Sequence, residues 1–500
     1  MRQATQTLTL ALFVYLVVAG GRGRATVVPV DLFFRLDPLA ALAAMLAGRA
    51  WLSGLALAFV TLALTVAVGR AWCGWLCPLG TILDWTALPG ARRRAAAIPE
   101  RWRSARHLML ALVLAGAALG SLALLGLDPL ALLTRAAAAS LLPALNHAVT
   151  AGEAALYRVP ALRPAVDGLE RLLRGAVLPT QQAAFAQNAA LAALLAGIVA
   201  LNALAGRVWC RYLCPLGALL GLVSKAGLVR PAVSQACSRC ARCTAACPVG
   251  AIEAEPGYAI AASECTLCLD CLAACPKGAI GLRLGQRPEA AHKYDPTRRQ
   301  VLGALVAGAA GVALARTGVR SRAAHAHLIR PPGADREGAF LSRCLRCGQC
   351  LNVCPTSGLQ PALFEAGLEG LWTPRLVPRL GYCDYGCNAC GRACPSGAIP
   401  ALPLDGKRQQ VLGLAAVNRN RCLPWAYGVP CIVCEEMCPL PEKAIRLEEM
   451  TVTGAGGQPV TVQCPSVRED LCIGCGICEY RCPQEGEAAI RVYRRQRSRL

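Results

Sequence analysis

Cysteines dominate the chemistry available to this chain, because six groups of four account for 24 of its 29 cysteines. Four of the groups are regular and read C-x2-C-x2-C-x3-C-P. In that spacing three thiolates within seven residues wrap one 4Fe-4S cluster, and the cysteine before proline reaches a partner cluster. Structural zinc prefers separated C-x2-C pairs, so the spacing predicts iron–sulfur clusters. The regular groups are Cys237, Cys240, Cys243, Cys247; Cys265, Cys268, Cys271, Cys275; Cys344, Cys347, Cys350, Cys354; and Cys472, Cys475, Cys478, Cys482.

Two further groups are variants, which keep C-x2-C-x3-C-P and shift only the first cysteine. Both are predicted 4Fe-4S sites, which brings the expected total to six clusters. The variant groups are Cys383, Cys387, Cys390, Cys394; and Cys422, Cys431, Cys434, Cys438.

The first two groups are spaced as in a compact two-cluster ferredoxin, since their first cysteines lie 28 residues apart. Swapped ligation is expected there, in which the fourth cysteine of each group binds the other cluster. The two expected ligand sets are Cys237, Cys240, Cys243 with Cys275, and Cys265, Cys268, Cys271 with Cys247. For the four later groups, sequential pairing and nested pairing both fit the spacing.

Four more cysteines occur in a repeated motif, RAWCGWLCPLG from Arg70 and RVWCRYLCPLG from Arg207. Three hypotheses fit these pairs, Cys73 with Cys77 and Cys210 with Cys214. They could be small apolar residues at a membrane surface, or four thiols that converge to hold an extra metal or iron–sulfur centre. A redox disulfide within each pair is the third, although i,i+4 spacing on a helix suits it poorly. Cys464 is left as a spare.

The elements that must position these motifs are long apolar stretches. Four of them approach or reach the length of a membrane-spanning helix: Thr7–Gly20, Ala50–Gly69, His107–Gly126 and Asn188–Gly206. Each half of this region contains two stretches, an LDPL motif between them and a closing C-x3-C-P. The predicted fold is therefore an α-helical membrane domain of four helices with a two-fold repeat, followed by α+β ferredoxin-like modules.

Four domains are predicted: 1–229 in the membrane, 230–290 as a two-cluster ferredoxin, 291–330 as an apolar segment, and 331–500 as a four-cluster domain. The dense arginines between 92 and 106 favour a cytoplasmic side for that loop and hence for 230–290. The segment after Arg298 and Arg299 has the form of a twin-arginine export signal or a fifth membrane helix. We therefore expect a multi-pass protein of the bacterial inner membrane with 331–500 in the periplasm.

Acidic residues near the outer face, Asp31, Asp37 and Asp128, are candidates for accepting protons from a quinol, although LDPL also suits a helix cap before proline. The net charge of +22 does not indicate nucleic-acid binding, because six clusters with their thiolates would remove about 12 charges. The sequence lacks haem, Walker and Rossmann motifs, so a terminal reductase must be a separate protein.

Residues 1–290 resemble the NapH-type membrane ferredoxin proteins, through the two C-x3-C-P motifs and the two-cluster ferredoxin. The remainder is similar to the NapG-type partner, from the paired arginines through LIRPPGA to CIVCEEMCP and CIGCGICEYRCP. The resemblance implies a quinol dehydrogenase component that takes electrons from the membrane quinol pool and passes them to a periplasmic reductase or c-type cytochrome. An alternative is an iron–sulfur redox sensor or maturation factor.

Overall fold

The computed structural model describes the chain except for residues 24–25, 89–99, 254–257, 286–295, 321–325, 335, 455 and 495–500. It contains a helical body (residues 1–228), a first cysteine module (229–285), a long helix and a second cysteine module (326–494). Arg92, Arg93 and Arg94 of the predicted cytoplasmic loop lie outside the described residues.

The helical body keeps the predicted repeat. Each half has a long apolar helix, an aspartate-capped helix that starts with proline, a second apolar helix and a cysteine-capped helix that also starts with proline. The first half contains α1 (Arg2–Gly21), α2 (Leu32–Arg35), α3 (Pro38–Gly48), α4 (Ala58–Val68) and α5 (Pro78–Trp85). The second half contains α6 (Ala105–Ala118), α7 (Pro129–Ala136), α8 (Leu142–Leu156), α9 (Arg163–Ala176), α10 (Asn188–Ala200) and α11 (Pro215–Ser224). Helices α8 and α9 are the insertion that breaks the symmetry.

Three of the four apolar helices, α4, α6 and α10, are shorter than the stretches predicted from the sequence, whereas α1 is longer than its predicted stretch. By length and composition, one helix among the described residues could cross a membrane, namely α1, whose mean hydropathy is 1.6. The other predicted spans are interrupted by 3-10 turns, for example at Ser53–Leu55 before α4 and Ala123–Leu127 after α6. A domain of four membrane helices thus stays a prediction.

The two modules are built from short helices and two-stranded antiparallel sheets. In the first module, β1 (Val229–Val233) pairs with β2 (Ile280–Leu284) around α12 (Arg242–Ala246) and α13 (Asp270–Ala274). In the second module, β3 (Leu359–Pro361) pairs with β4 (Pro374–Leu376), β5 (Leu414–Val417) with β8 (Ile490–Tyr493), and β6 (Ile445–Thr453) with β7 (Pro459–Val467). Its helices are α15 (Glu337–Leu341), α16 (Gln349–Asn352), α17 (Ala389–Arg392), α18 (Leu404–Arg408), α19 (Leu423–Tyr427), α20 (Val433–Glu436) and α21 (Ile477–Arg481).

Helix α14 (Arg298–Arg320) lies along α6 and runs in the same direction. Small residues allow the close approach, because a Cβ on Gly308 would lie 2.9 Å from the Ala115 side chain. Near its carboxyl end, Arg316 donates to the carbonyl of Leu119 and forms an ion pair with Glu369 of the second module. This helix therefore connects the two modules along the side of the helical body.

The modules dock at opposite ends of the helical body. At the amino end of α1, Arg2 forms an ion pair with Asp270 of the first module. At the other end of α1, the amide of Asn352 in the second module donates to the carbonyl of Val17, at 2.8 Å. The fifteen residue steps from Arg2 to Val17 correspond to about 22 Å of helix at 1.5 Å per residue.

Candidate iron–sulfur sites

Four cavities in the modules are each lined by four cysteines that come from two groups. Their volumes are about 420, 370, 370 and 360 Å³. The four sets are Cys354, Cys383, Cys387, Cys390; Cys247, Cys265, Cys268, Cys271; Cys422, Cys431, Cys434, Cys482; and Cys438, Cys472, Cys475, Cys478. Each set joins three cysteines of one group to the fourth cysteine of another, which is the swapped pattern of two-cluster ferredoxins.

These sets select one of the two pairings that the spacing left open. In the second module the group of Cys344 pairs with the group of Cys383, and the group of Cys422 pairs with the group of Cys472. Pairing is thus sequential in the structure, and the nested alternative does not describe it. Cys394 lies within electrostatic range of Cys344, Cys347 and Cys350, as expected for the remaining set there. The first module leaves Cys237, Cys240, Cys243 and Cys275, of which Cys237 and Cys275 pack against the small buried cluster that contains Cys243.

The backbone around the regular groups has a repeated shape. The second cysteine of each is flanked on both sides by residues with positive φ, as at Arg346 and Gly348, with φ of 57° and 79°. The other flanking pairs are Arg239 and Ala241, Leu267 and Leu269, and Gly474 and Gly476. Residues other than glycine rarely adopt this conformation, so the same loop is imposed on unfavourable side chains. Successive amide groups in such a loop form a nest suited to an anionic cluster.

Backbone amides donate to several of the expected ligand sulfurs. The amides of Ala251 and Ala279 lie 3.2 Å from the sulfurs of Cys247 and Cys275, and the amide of Ala489 lies 3.3 Å from that of Cys482. Such bonds stabilise negative charge on a ligand sulfur and tune the cluster potential. The residues present therefore fit 4Fe-4S clusters.

Burial raises the pKa of several thiols at the cluster sites and keeps those thiols protonated at neutral pH. Desolvation raises the pKa of Cys265, Cys390 and Cys475 to about 12, with neighbouring thiols adding to the effect at all three. Cluster binding must therefore release protons. Within the described residues, no three His, Cys, Asp or Glu side chains close around a single metal ion.

The four sites of the second module form a series that leads away from the helical body. Cys347 belongs to the buried core of the helical body itself. The group of Cys383 touches the group of Cys472, since the amide of Cys383 donates to the carbonyl of Cys475 at 2.8 Å. The set that contains Cys422 and Cys431 then lies at the far end, beside the β6–β7 hairpin.

The repeated thiol pairs of the helical body have a different geometry from the one predicted. Cys73 and Cys210 lie in π-helical turns, Trp72–Leu76 and Trp209–Leu213, and do not share a regular helix with their partners. Cys77 and Cys214 are the N-caps of α5 and α11. Their sulfurs accept from the amides of Gly80 and Gly217, at 3.4 and 3.2 Å. The two cysteines of each pair therefore do not have the i,i+4 spacing of a regular α-helix, and the argument against a disulfide from that spacing does not apply.

All four thiols of these pairs, here named the thiol tetrad (Cys73, Cys77, Cys210, Cys214), lie within electrostatic range of one another across the repeat. Burial raises the pKa of Cys77 and Cys214 well above the usual thiol value, and the neighbouring thiols add to this effect. The two halves of the repeat thus bring their cysteines together, as the second of the three hypotheses requires.

Buried arginines hold the first module against the end of the helical body that contains the tetrad. The sequence analysis did not predict this role for them. Glu264, which is 2% exposed, forms an ion pair with Arg106 and lies 3.9 Å from Arg103. Arg70 donates to the neighbouring carbonyl of Ser263 at 2.7 Å. Burial alone would raise the pKa of Glu264, but Arg106, Arg70 and Arg103 outweigh it and hold that pKa below its usual value. The sequence feature that could have indicated this contact is the glutamate directly before the Cys265 group.

The second module is held by Arg135, a fully buried side chain that the sequence also did not single out. Its guanidinium donates to the carbonyl of Arg346 at 2.8 Å and to that of Gly126 at 3.0 Å, and it lies 4.1 Å from the centre of the Trp372 ring. The sequence feature that could have indicated this contact is an arginine inside the apolar stretch ALLTRAAAAS. The bond from Arg135 to Arg346 holds the loop before Cys347 directly against the helical body.

The candidate aspartates fall into two kinds. Asp37 and Asp128 cap α3 and α7, each through one oxygen that accepts from two amides. Their other oxygens are buried without a bonded donor and lie within hydrogen-bond reach of each other. Burial raises the pKa of Asp37 to about 6, and burial beside Asp37 raises that of Asp128, so the pair favours a shared proton. Asp31 instead forms an ion pair with Arg35 at 2.9 Å.

Comparisons with known families agree with the cysteine sites. Residues 236–279 and 264–359 match families described as 4Fe-4S dicluster domains, and residues 465–485 match a 4Fe-4S binding domain. Residues 50–96 and 187–234, which contain the two thiol pairs, both match another family described as a 4Fe-4S binding domain.

Curated relatives are ferredoxin-type proteins. The methylamine utilization ferredoxin-type protein MauM of Methylorubrum extorquens is 38% identical over 210 residues, which cover 40% of this chain and 90% of the relative. The chain belongs to the family of MauM- and NapG-type ferredoxin proteins. NapG of Escherichia coli is 39% identical over 187 residues, 37% of this chain and 78% of the relative. NapF of the same species is 28% identical over 155 residues, 31% and 80%.

No solved structure matches this chain. The NapG-type part of the expected resemblance is confirmed, and the bacterial-ferredoxin domains make the chain an iron–sulfur electron-transfer protein. The NapH-type likeness of residues 1–290 and the six-cluster total stay predictions.

Proposed function

We propose that this chain is a quinol dehydrogenase component of the bacterial inner membrane, which passes electrons through six 4Fe-4S clusters to a periplasmic reductase or c-type cytochrome. The observation that carries the proposal is the docking of two ferredoxin-type modules at opposite ends of one helical body. A redox sensor does not need a series of cysteine sites that leads outward from such a body.

Exposed apolar surface supports a membrane setting for the helical body. On α14, Leu302, Val306 and Leu314 are 53%, 69% and 71% exposed, and on α4 Val60 and Leu64 are 50% and 53% exposed. Extended apolar surfaces of this kind are uncommon on soluble monomers. Because α14 runs along α6 from one module toward the other, it suits a further crossing better than a cleaved signal. Residues 321–325, which follow the helix in the sequence, lie outside the described residues.

A cavity of about 640 Å³ supports the quinol as substrate. It lies between the end of α1, helix α8 and the second module. Apolar side chains such as Leu142 and Phe185 line it together with polar Asn146. The side-chain oxygen of Asn146 accepts from Arg174 and its amide nitrogen donates to the carbonyls of Pro179 and Gln181, so Asn146 is held in place as part of the cavity wall.

The cavity adjoins a cluster site. Cys354 and Pro355 line it and also line the neighbouring cavity with Cys383, Cys387 and Cys390. When bound, 4Fe-4S clusters supply one-electron acceptors, which match the two single-electron steps that convert a quinol to a quinone with release of two protons. Asp31, Asp37 and Asp128 do not line this cavity. We therefore assign Asp37 and Asp128 to helix capping and not to proton uptake from the quinol.

The test is anaerobic reduction of the detergent-solubilised full chain by a short-chain quinol, followed as bleaching of the cluster absorbance. Leu142→Trp fills the cavity, and Leu145→Trp is the matched control because Leu145 is 50% exposed on the same helix. We expect Leu142→Trp to slow quinol reduction at least tenfold while dithionite still bleaches both variants fully. Inertness of the unmodified chain toward the quinol would favour the sensor alternative.

A further inference from the structure

We propose that Lys407 raises the reduction potential of one 4Fe-4S cluster, the cluster at the site that adjoins the quinol cavity. The proposal deepens the proposed function and rests on it only for the source of the electrons. Cys354 lines both this site and the cavity of about 640 Å³. The four cysteines of the site are Cys354, Cys383, Cys387 and Cys390.

Lys407 is a buried lysine whose ammonium meets a cluster ligand. The residue is 5% exposed and lies in the last turn of α18. Its ammonium donates to the carbonyl of Asp384 and lies within hydrogen-bond reach of the sulfur of Cys383. Lysine is almost never fully buried in proteins unless its charge is paired. The anion that suits this position is therefore the cluster with its thiolates.

The other charged side chains that line this site have partners elsewhere. Arg330 forms an ion pair with Glu337. Asp384 uses its carboxylate to accept from the amide of Gly386 at 2.7 Å. Within the described residues, no Asp or Glu forms an ion pair with Lys407. The ammonium thus faces the ligand sulfur as a buried cation that no carboxylate neutralises.

The irregular spacing of the Cys383 group belongs to the same contact. This group has one extra residue in its first gap, and the widened loop turns the carbonyl of Asp384 to the ammonium of Lys407. The next residue of the loop, Tyr385, packs against Arg408, whose guanidinium carbon lies 4.9 Å from the ring centre. Two consecutive basic residues of α18 therefore hold the widened loop, and the buried one lies beside the sulfur.

The charge of the cluster sets the direction of the effect. One-electron reduction changes the net charge of a 4Fe-4S core with four thiolates from about −2 to about −3. A cation beside a ligand sulfur attracts the more negative form more strongly, and burial leaves this attraction weakly screened. Hydrogen bonds to ligand sulfurs also tune the potential. Lys407 therefore favours the reduced cluster, as an acceptor of quinol electrons requires.

The test is a redox titration of the anaerobically purified full chain with dithionite, followed by electron paramagnetic resonance. The resonance component of this site is the one that Cys387→Ser changes. Lys407→Met removes the charge and keeps a long unbranched side chain. We expect the equilibrium constant for reduction of this component to fall by about tenfold or more, which is about 59 mV for one electron. Lys407→Arg keeps the charge and should stay close to the unmodified chain.

Arg408→Met is the matched control, because Arg408 is the next residue of α18, contacts the same loop and has 36% of its side chain exposed. Solvent screens an exposed charge, so we expect a change of about twofold or less. Iron per chain should be equal in all these variants. If Lys407→Met loses iron, Lys407→Gln, which keeps a donor for the carbonyl of Asp384, is titrated in its place with the same expectation.

An unchanged potential in a neutral variant with full iron would overturn the proposal, and so would an equal fall in Lys407→Arg. Loss of iron from both neutral variants would also overturn it, because the lysine would then act only in holding the loop. A lower potential with an unchanged rate of reduction by a quinol would support this inference and contradict quinol oxidation at this site. Reduction of the unmodified chain by a quinol together with an unchanged potential would contradict this inference alone.

Discussion

The two halves of the helical body differ most where the first module docks. Arg70 and Arg207 occupy equivalent positions, but Arg207 binds Asp84 inside the body, whereas Arg70 donates to Ser263 of the module. Gly221 stands at the position equivalent to Asp84, and a Cβ there would lie 2.8 Å from the carbonyl of Ser263. Arg207 therefore forms its ion pair within the helical body, between the two halves, whereas Arg70 is bonded to the first module. The two equivalent positions differ by one acidic side chain, and the first module docks where that side chain is absent.

The largest expected effect follows from removing the acid that the module supplies in place of Asp84. Glu264→Gln removes the buried carboxylate that pairs with Arg106 and faces Arg70 and Arg103, and we expect docking to weaken by about 3–5 kcal/mol. Hydrogen exchange of residues 258–285 in the full chain measures it. Asp270→Asn is the control, because its ion pair with Arg2 is partly exposed and contributes about 1 kcal/mol or less.

The same carboxylate predicts a pH dependence. The folded-state pKa of Glu264 is lowered, so its stabilising contribution is present above the ordinary value of 4.5 and is lost as the pH falls through the folded value. Exchange protection in the first module should decline under acid conditions in the unmodified chain and much less in Glu264→Gln. Equal protection in both proteins would contradict the assigned role.

A smaller effect is expected from Gly74→Ala, which adds a methyl group where the helical body contacts Thr266 of the first module. Overpacking against a backbone carbonyl costs about 1–3 kcal/mol, so the first module should exchange faster. Gly152→Ala is the matched control, because a Cβ there meets nothing within 4 Å. If both variants exchange like the unmodified chain, Gly74 is not a contact that docking requires.

The smallest effect concerns the place where the halves are most alike, the pair Asp37 and Asp128. Because the folded-state pKa of Asp37 is raised from 3.8 to about 6, its stabilising contribution is present below about pH 4 and is lost as the pH rises through 6. Asp37→Asn keeps the cap and does not titrate.

We expect this variant to be about 1–2 kcal/mol more stable than the unmodified chain at pH 7 and similar to it at pH 4. Thermal unfolding across that range measures the difference. Asp31→Asn, which loses an ion pair with Arg35, should show no such gain. A pH-independent difference for Asp37→Asn would mean that the carboxyls do not share a proton.

Local features could be predicted from the sequence, whereas the contacts between elements could not. Cysteine spacing identified the groups, and LDPL motifs before proline indicated helix caps, because both signals are local. The pairing of the later groups depends on how separate loops meet, which spacing does not encode. The burial of Arg135 depends on docking between distant parts of the chain. The π-helical turns at Trp72 and Trp209 have no residue signature that separates them from an α-helix.

Helix α14 has a consequence for assembly. NapG relatives align with only part of this chain, whereas here a covalent tether fixes a one-to-one stoichiometry between the two cysteine modules. Docking of the second module through Arg135 becomes an intramolecular event, governed by effective concentration and independent of protein level. An interface of that kind stays formed at intrinsic affinities too weak to hold two free proteins together.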